Sequence, residues 1–115
     1  MDPADLALDA LGNRTRRGVL NLLAAGPLPV GALAQPLGVS RPAISQQLRV
    51  LEAARLVRFE ARGASNLYQL DGEGLSLARG WLDTLWPLAL DRFSALAEQS
   101  WDPLGPGDPS QRGPR

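Results

Sequence analysis

Cysteine, histidine and lysine are all absent from the 115 residues, and the twelve basic side chains are all arginine. Without cysteine there is no disulfide framework, no thiolate nucleophile and no zinc ribbon. Without histidine the commonest general base and the commonest metal ligand are gone as well. Carboxylates remain, and they favour hard cations over zinc, arsenite or cadmium. No metal site or cofactor is therefore expected. No apolar run approaches the ~20 residues needed to span a bilayer. The opening Met1-Asp2-Pro3-Ala4-Asp5 is acidic and lacks the pattern of a secretory signal, so no membrane association is expected and the cytoplasm is the default compartment. A Gly-rich phosphate loop, a catalytic triad and a metal box are also missing. Asp83 and Asp91 stand eight apart on one expected helix, too far for a simple acid–base pair. An enzyme is not expected.

The length suits one domain of roughly 100–150 residues, with no room for a second. Hydrophobic residues make up 44% and charged residues 21%, an ordinary balance for a soluble chain. Net charge is zero, but its distribution is uneven. Asp2, Asp5 and Asp9 make the start acidic. Residues 12–62 carry eight arginines against Glu52 and Glu60, a net of +6, and residues 63–115 carry four against seven acids. A basic segment thus lies between acidic flanks, and local sign steers a polyanion more than total charge does. The preference for arginine in a chain rich in Ala, Gly and Pro matches the codon bias of a GC-rich genome. That bias does not explain the clustering.

Residues 2–11 read as a short helix, with Asp2 as cap and Pro3 in the first turn, ended by Gly12. Asn13 caps a second helix whose apolar side is Val19, Leu20, Leu22 and Leu23, stopped by Gly26-Pro27. A third, shorter helix holds Val30, Leu33, Ala34 and Leu37, its last turn loosened by Pro36. Gly38-Val39-Ser40 is a turn and a cap. From Ser40 to about Ala54 a fourth helix carries Ile44, Leu48 and Leu51 at i, i+4 and i+7. Residues 57–61 and 66–70 alternate like strands around a loop, Arg62-Gly63-Ala64-Ser65. A long helix is expected from about Glu73 to Gln99, kinked or split at Pro87. The tail from 102 holds four Pro and three Gly in fourteen positions and is expected to be disordered. This order predicts a mainly α fold with a small β-hairpin, a winged helix-turn-helix over residues 1–100, with 101–115 as a disordered tail.

Val30 to Leu51 is the informative stretch: a short helix, a glycine turn, then a capped helix with a small, polar outer face. A helix that enters a DNA major groove about 12 Å wide needs an apolar inner side and short or donor-rich outer side chains near its N-terminus. Ser40, Arg41, Ala43, Ser45, Gln46, Gln47 and Arg49 meet that demand, and Arg58 and Arg62 would extend it from the hairpin. Arginine can pair with guanine and glutamine with adenine, while a helix N-terminus attracts phosphate. Arg14, Arg16 and Arg17 have two readings: phosphate contact, or pairing with Asp5 or Asp9, with Arg17 the best placed for a structural role. The alternative to DNA binding is a winged-helix module that binds protein.

These motifs resemble the ArsR-type winged-helix transcriptional repressors of bacteria. The resemblance is carried by Ala10-Leu11-Gly12-Asn13-Arg14-Thr15-Arg16-Arg17, by Leu33 to Ser40, by Arg41 to Leu51, by Leu56-Val57 and the Arg-Gly wing, and by Leu67 to Leu70. It covers roughly residues 6–97. It implies a homodimer joined by its first and last helices, with Leu6, Leu11, Trp81, Leu82, Leu85, Trp86 and Phe93 in the interface. It also implies binding to a palindromic operator in double-stranded DNA, usually in the protein's own promoter, and release by an inducer whose identity the sequence does not give. With neither Cys nor His, the chain resembles the metal-independent branch of that family. Four positions depart from the family pattern. Gln47 stands where His is common, Arg55 where Gly is usual, and Pro29 where a Ser or Thr cap is usual. The wing is also less basic than most. A left-handed backbone at Arg55 would cost about 1 kcal/mol.

Overall fold

The computed structural model describes residues 1–100, with side-chain surroundings through residue 97. The expected tail, 101–115, lies outside the described residues. In order the elements are α1 (Pro3–Leu11), α2 (Arg14–Leu23), α3 (Val30–Leu37), α4 (Arg41–Ala53), β1 (Val57–Arg62), β2 (Ser65–Leu70) and α5 (Gly72–Ser100). The chain divides into two compact units, Met1–Leu82 and Asp83 onward, within the stretch expected to be one domain. No described helix is long and apolar enough to cross a membrane.

Side-chain oxygens start three of the helices by accepting otherwise unpaired N–H groups. The Asp2 carboxylate accepts from Ala4 at 3.4 Å, Asn13 Oδ1 from Arg16 at 3.0 Å and Ser40 Oγ from Ala43 at 3.2 Å. Helix α3 begins after Pro29 with no side-chain cap.

Helices α3 and α4 end in the same way. After α3, Gly38 is left-handed at φ 66°, its N–H bonds to Gln35 and the N–H of Val39 reaches back to Ala34. After α4, Arg55 is left-handed at φ 59°, its N–H bonds to Glu52 and the N–H of Leu56 reaches back to Leu51. Both are Schellman endings, which glycine normally supplies because it has no Cβ to crowd. Arg55 is the one non-glycine with positive φ among the described residues. Its guanidinium holds the Glu73 carboxylate at 2.7 Å across the start of α5. That hydrogen bond, and the charge behind it, push the Arg55 pKa up. The pair is exposed on both sides, so solvent screens it and it offsets only a small part of the backbone cost. The Gly74 N–H bonds to the Arg55 carbonyl at 2.7 Å, and Asp71 N–H to Leu56 at 2.9 Å, so the end of α4 and the start of α5 form one joint.

The hairpin is tighter than expected. Strands β1 and β2 pair antiparallel from Val57 opposite Leu70 to Arg62 opposite Ser65, so Gly63-Ala64 alone make the turn. Gly63 takes φ 58°, as the first position of a two-residue II′ turn requires, and Arg62 and Ser65 join the strands rather than the loop. Leu28 adds a bridge on the far side of β2, exchanging both backbone hydrogen bonds with Tyr68 at 2.9 Å.

One apolar cluster gathers the first unit. Leu33, Ile44, Leu48, Leu51, Leu56, Val19 and Val57 are its largest fully buried side chains, and Ala7, Ala10, Tyr68 and Ala78 bring in α1, β2 and the start of α5. Burying each Leu or Ile contributes about 1.5–3 kcal/mol. No polar or charged side chain is buried among the described residues. In the second unit every described side chain is exposed, among them Leu85, Trp86, Leu88, Leu90 and Phe93. Of the kink or split expected at Pro87, the split does not occur. The helix continues through it, and the carbonyl of Asp83 loses its i+4 partner to the ring that has no N–H.

The α4–α5 joint makes a sharp prediction. A Cβ on Gly74 would fall 2.5 Å from the Arg55 carbonyl oxygen and also collide with that of Ala54; both are backbone atoms that cannot swing away. Gly74→Ala should destabilise by about 1–3 kcal/mol in urea unfolding. Gly80→Ala, where nothing lies within 4 Å, should instead gain up to ~1 kcal/mol from helix propensity. Equal effects at the two positions would contradict the joint.

Candidate nucleic-acid interface

Helix α4 has two unlike sides. Ile44, Leu48 and Leu51 have no exposed surface. Arg41, Gln46 and Arg49 are exposed, while Ala43 and Ser45 are half-buried. The turn Gly38–Ser40 and the Ser40 cap hold the first turn of α4 beside α3. Ser40 serves as that cap, so its hydroxyl oxygen already accepts from Ala43. Pro42 has no N–H and the Ala43 N–H is taken, which leaves Arg41 as the backbone donor of the first turn. The end of this helix is therefore a poorer anion site than a typical N-terminus.

Two expected site residues are placed differently from the expectation. Gln47 lies on the inner side with Ile44, Leu48 and Leu51, half-buried, and its Oε1 accepts from Arg16 Nη1 at 2.9 Å. That bond holds the amide oxygen toward α2, an orientation poorly suited to a two-point contact with adenine. Arg41 does not lie along α4. A methyl built on Gly31 would come 2.5 Å from its Nη2, so the guanidinium crosses the first turn of α3. There it lines a groove of about 570 Å³ between Pro29–Ala32 and Gln35 on one side and Ala64–Asn66 of the hairpin on the other. The sequence carried no signal of this groove beyond the missing Cβ at Gly31.

The arginines of the basic segment sort by what they touch. Arg16 donates to the carbonyls of Ala10 and Asp9 and to Gln47, and Arg17 donates to the carbonyl of Leu11 at 2.8 Å. Neither pairs with the carboxylate of Asp5 or Asp9; both bind backbone oxygens at the end of α1. Arg16, rather than Arg17, is the more deeply tied. Arg55 is held by Glu73. Arg62 pairs with Glu60 at 3.6 Å in an exposed contact, so the wing carries Arg58 and a partly neutralised Arg62. Arg14, Arg41, Arg49 and Arg58 have no hydrogen bond or ion pair among the described residues. Phe59, opposite Tyr68 in the register, packs on it with the rings tilted at 47° and 5.4 Å between centres, a cross-strand pair that supports the wing.

A three-helix core, a helix-turn-helix over α3 and α4 and a two-stranded wing define the class: a winged helix-turn-helix. The chain belongs to the bacterial ArsR family of regulatory proteins, whose profile matches residues 13–58. It is 47% identical over 98 residues to the HTH-type transcriptional regulator Rv2034 of Mycobacterium tuberculosis, covering 85% of this chain and 92% of that one. It is 30% identical over 73 residues to the transcriptional repressor SdpR of Bacillus subtilis, covering 64% of this chain and 81% of the other. The fold matches a homodimeric winged helix-turn-helix DNA-binding domain from Mycobacterium bovis, a possible ArsR-family transcriptional regulator. The TM-score is 0.61 and the identity 29%, over 88% of each chain. The homologues are transcriptional regulators, a class without enzymatic activity.

The packing of Arg41 across Gly31 is open to a direct check. The atoms that a new methyl would meet are the far end of a flexible side chain, so Gly31→Ala should leave stability unchanged or raise it by up to ~1 kcal/mol. It should also expel the guanidinium from the groove. A crystal structure of the variant with Arg41 still across α3 would contradict this packing.

Proposed function

We propose that this chain is a homodimeric repressor that reads an inverted repeat, in its own promoter in the simplest case, with helix Ser40–Ala54 of each copy in the major groove. The observation that carries the reading is the division of α4: a fully buried apolar side behind Ser45, Gln46 and Arg49, with Arg14, Arg41, Arg49 and Arg58 left without partners inside the described protein. Base reading falls to Ser45, Gln46 and Arg49. Arg41, with Ser65 and Asn66 across the groove, is suited to a phosphate, and Arg58 and Arg62 to the flanking backbone. Ala43 lets the helix approach closely, and Ser40 sets its first turn.

The second copy is supported by the apolar side chains exposed on α5, Trp86 at 62% and Phe93 at 66% among them, and by the homodimeric neighbour from M. bovis. A twofold dimer presents two α4 helices to half-sites about one turn apart. The partners are then double-stranded DNA and a second copy, in the cytoplasm. Any inducer would be something other than a soft metal, because neither thiolate nor imidazole is available.

Fluorescence anisotropy tests the reading on the DNA upstream of the coding sequence against a scrambled duplex, at two salt concentrations. Tight, selective binding is expected, with a log–log salt slope of about −0.9 per phosphate contacted. Arg49→Ala should cost about 1–3 kcal/mol on the upstream duplex and far less on the scrambled one. Equal weak binding to this duplex, and to every sequence in a random library, would favour the protein-binding module instead. For the dimer, Trp86→Glu should shift sedimentation to the monomer and abolish tight binding to the two-half-site duplex. A variant that remained dimeric would remove α5 from the interface.

A further inference from the structure

Each of the three guanidinium nitrogens of Arg16 donates a hydrogen bond within the protein, and these bonds join elements far apart in sequence. Arg16 sits half-buried in the first turn of α2. Its Nε donates to the carbonyl of Ala10 at 2.7 Å and its Nη2 to that of Asp9 at 3.4 Å. Both carbonyls belong to the last turn of α1, where that of Asp9 also accepts from Gly12 N–H at 3.0 Å. Its Nη1 donates to Gln47 Oε1 at 2.9 Å, thirty-one residues away on α4. A guanidinium has donors only, so the amide must turn its oxygen to Arg16, and the orientation of Gln47 is fixed by chemistry.

Gln47 is the polar member of the face that α4 presents to the core. Ile44, Leu48 and Leu51 hold that face down by close packing, but the hydrophobic effect that buries them is non-directional. A charge-assisted hydrogen bond has a preferred line. We infer that Arg16 is a positioning residue for DNA recognition: through Gln47 it sets the rotation of α4, and through the Asp9 and Ala10 carbonyls it ties that setting to α1. Arg16 itself touches no phosphate. This rests on the DNA-reading function proposed above. It also explains how a glutamine serves on the inner side of this helix, because its oxygen is the strut's acceptor.

The test uses the full-length chain and a duplex enriched by the wild type from a random-sequence library, with a scrambled duplex beside it. Affinities are read well below the melting transition for Arg16→Met, Gln47→Met, the double variant and Gln47→Glu. Arg16→Met should reduce discrimination between the two duplexes about tenfold, the scale of one lost charge-assisted bond, while the salt slope stays at the wild-type value. The double variant should be no worse than the worse single one. Gln47→Glu keeps an acceptor for Arg16 and should keep the discrimination ratio, even where its charge weakens binding to both duplexes alike.

Three outcomes overturn the inference. The first is a salt slope shallower by about 0.9 for Arg16→Met, which would make Arg16 a phosphate contact. The second is a fall in melting temperature with unchanged discrimination, which would make its role purely structural. The third is full additivity in the double variant. A wild type that enriches no sequence overturns the functional reading, and the positioning role with it. Exchange of the Arg16 guanidinium protons in the DNA-free protein separates that failure from failure of the strut. Slow exchange that quickens in Gln47→Met shows the strut present without a DNA-reading role; fast exchange in the wild type shows that there is no strut.

Discussion

Helix α4 can offer one face to a partner only because the opposite face is removed from water and held there. Ile44, Leu48 and Leu51 are completely buried, and no polar side chain is buried with them. The rest of the first unit is arranged around that demand. Helices α1, α2 and α3 supply the apolar floor, and the hairpin with the start of α5 closes it through Val57, Tyr68 and Ala78. A polar group inserted into this floor would cost more than any one outward contact could return. The outward side chains can therefore be small and polar without weakening the fold.

The two ends of α4 are held by different means, and the difference sets what each end can do. At the N-terminus the chain arrives through Gly38 in the left-handed region and Ser40 as cap, both locally cheap. At the C-terminus Arg55 takes the left-handed position against its own Cβ, and its cost is met in part by Glu73 and by the carbonyl bond to Gly74. One end of α4 is thus joined to α5, and the other lies beside the groove that Arg41 lines.

Much of this was legible in the sequence wherever local chemistry decides. Asp2, Asn13 and Ser40 announce helix starts because their side chains can accept N–H groups within a few residues, and all three do. The buried side of α4 followed from spacing alone, while the left-handed backbone at Arg55 was signalled only by the resemblance, through the family's usual glycine there. What depended on distant partners was not legible. The Leu28–Tyr68 bridge and the Arg16–Gln47 bond join residues that no local pattern relates. Arg17 looked the more structural of the pair because spacing does not say which guanidinium points inward. Gln47 looked like a base reader because the outward and inward edges of a helix differ by one residue. Pro87 left a kink and a break both open, and the unbroken helix excludes the break.

Net neutrality shapes what kind of DNA reader such a fold can be. The acidic flanks meet the basic middle directly, Glu73 at Arg55 and the end of α1 at Arg16, so they subtract from its pull on a polyanion. Within the middle, the four bound arginines add little directed attraction, because Arg16 and Arg17 bind carbonyls and Arg55 and Arg62 face carboxylates. The four others cannot supply the broad electrostatic grip of a strongly basic domain. Selectivity on this scaffold must come from the placement of a few side chains on α4. A rotation of that helix moves Ser45, Gln46 and Arg49 together. The bond from Arg16 to the inner side of α4 is therefore worth more here than it would be in a protein that held its partner by charge alone.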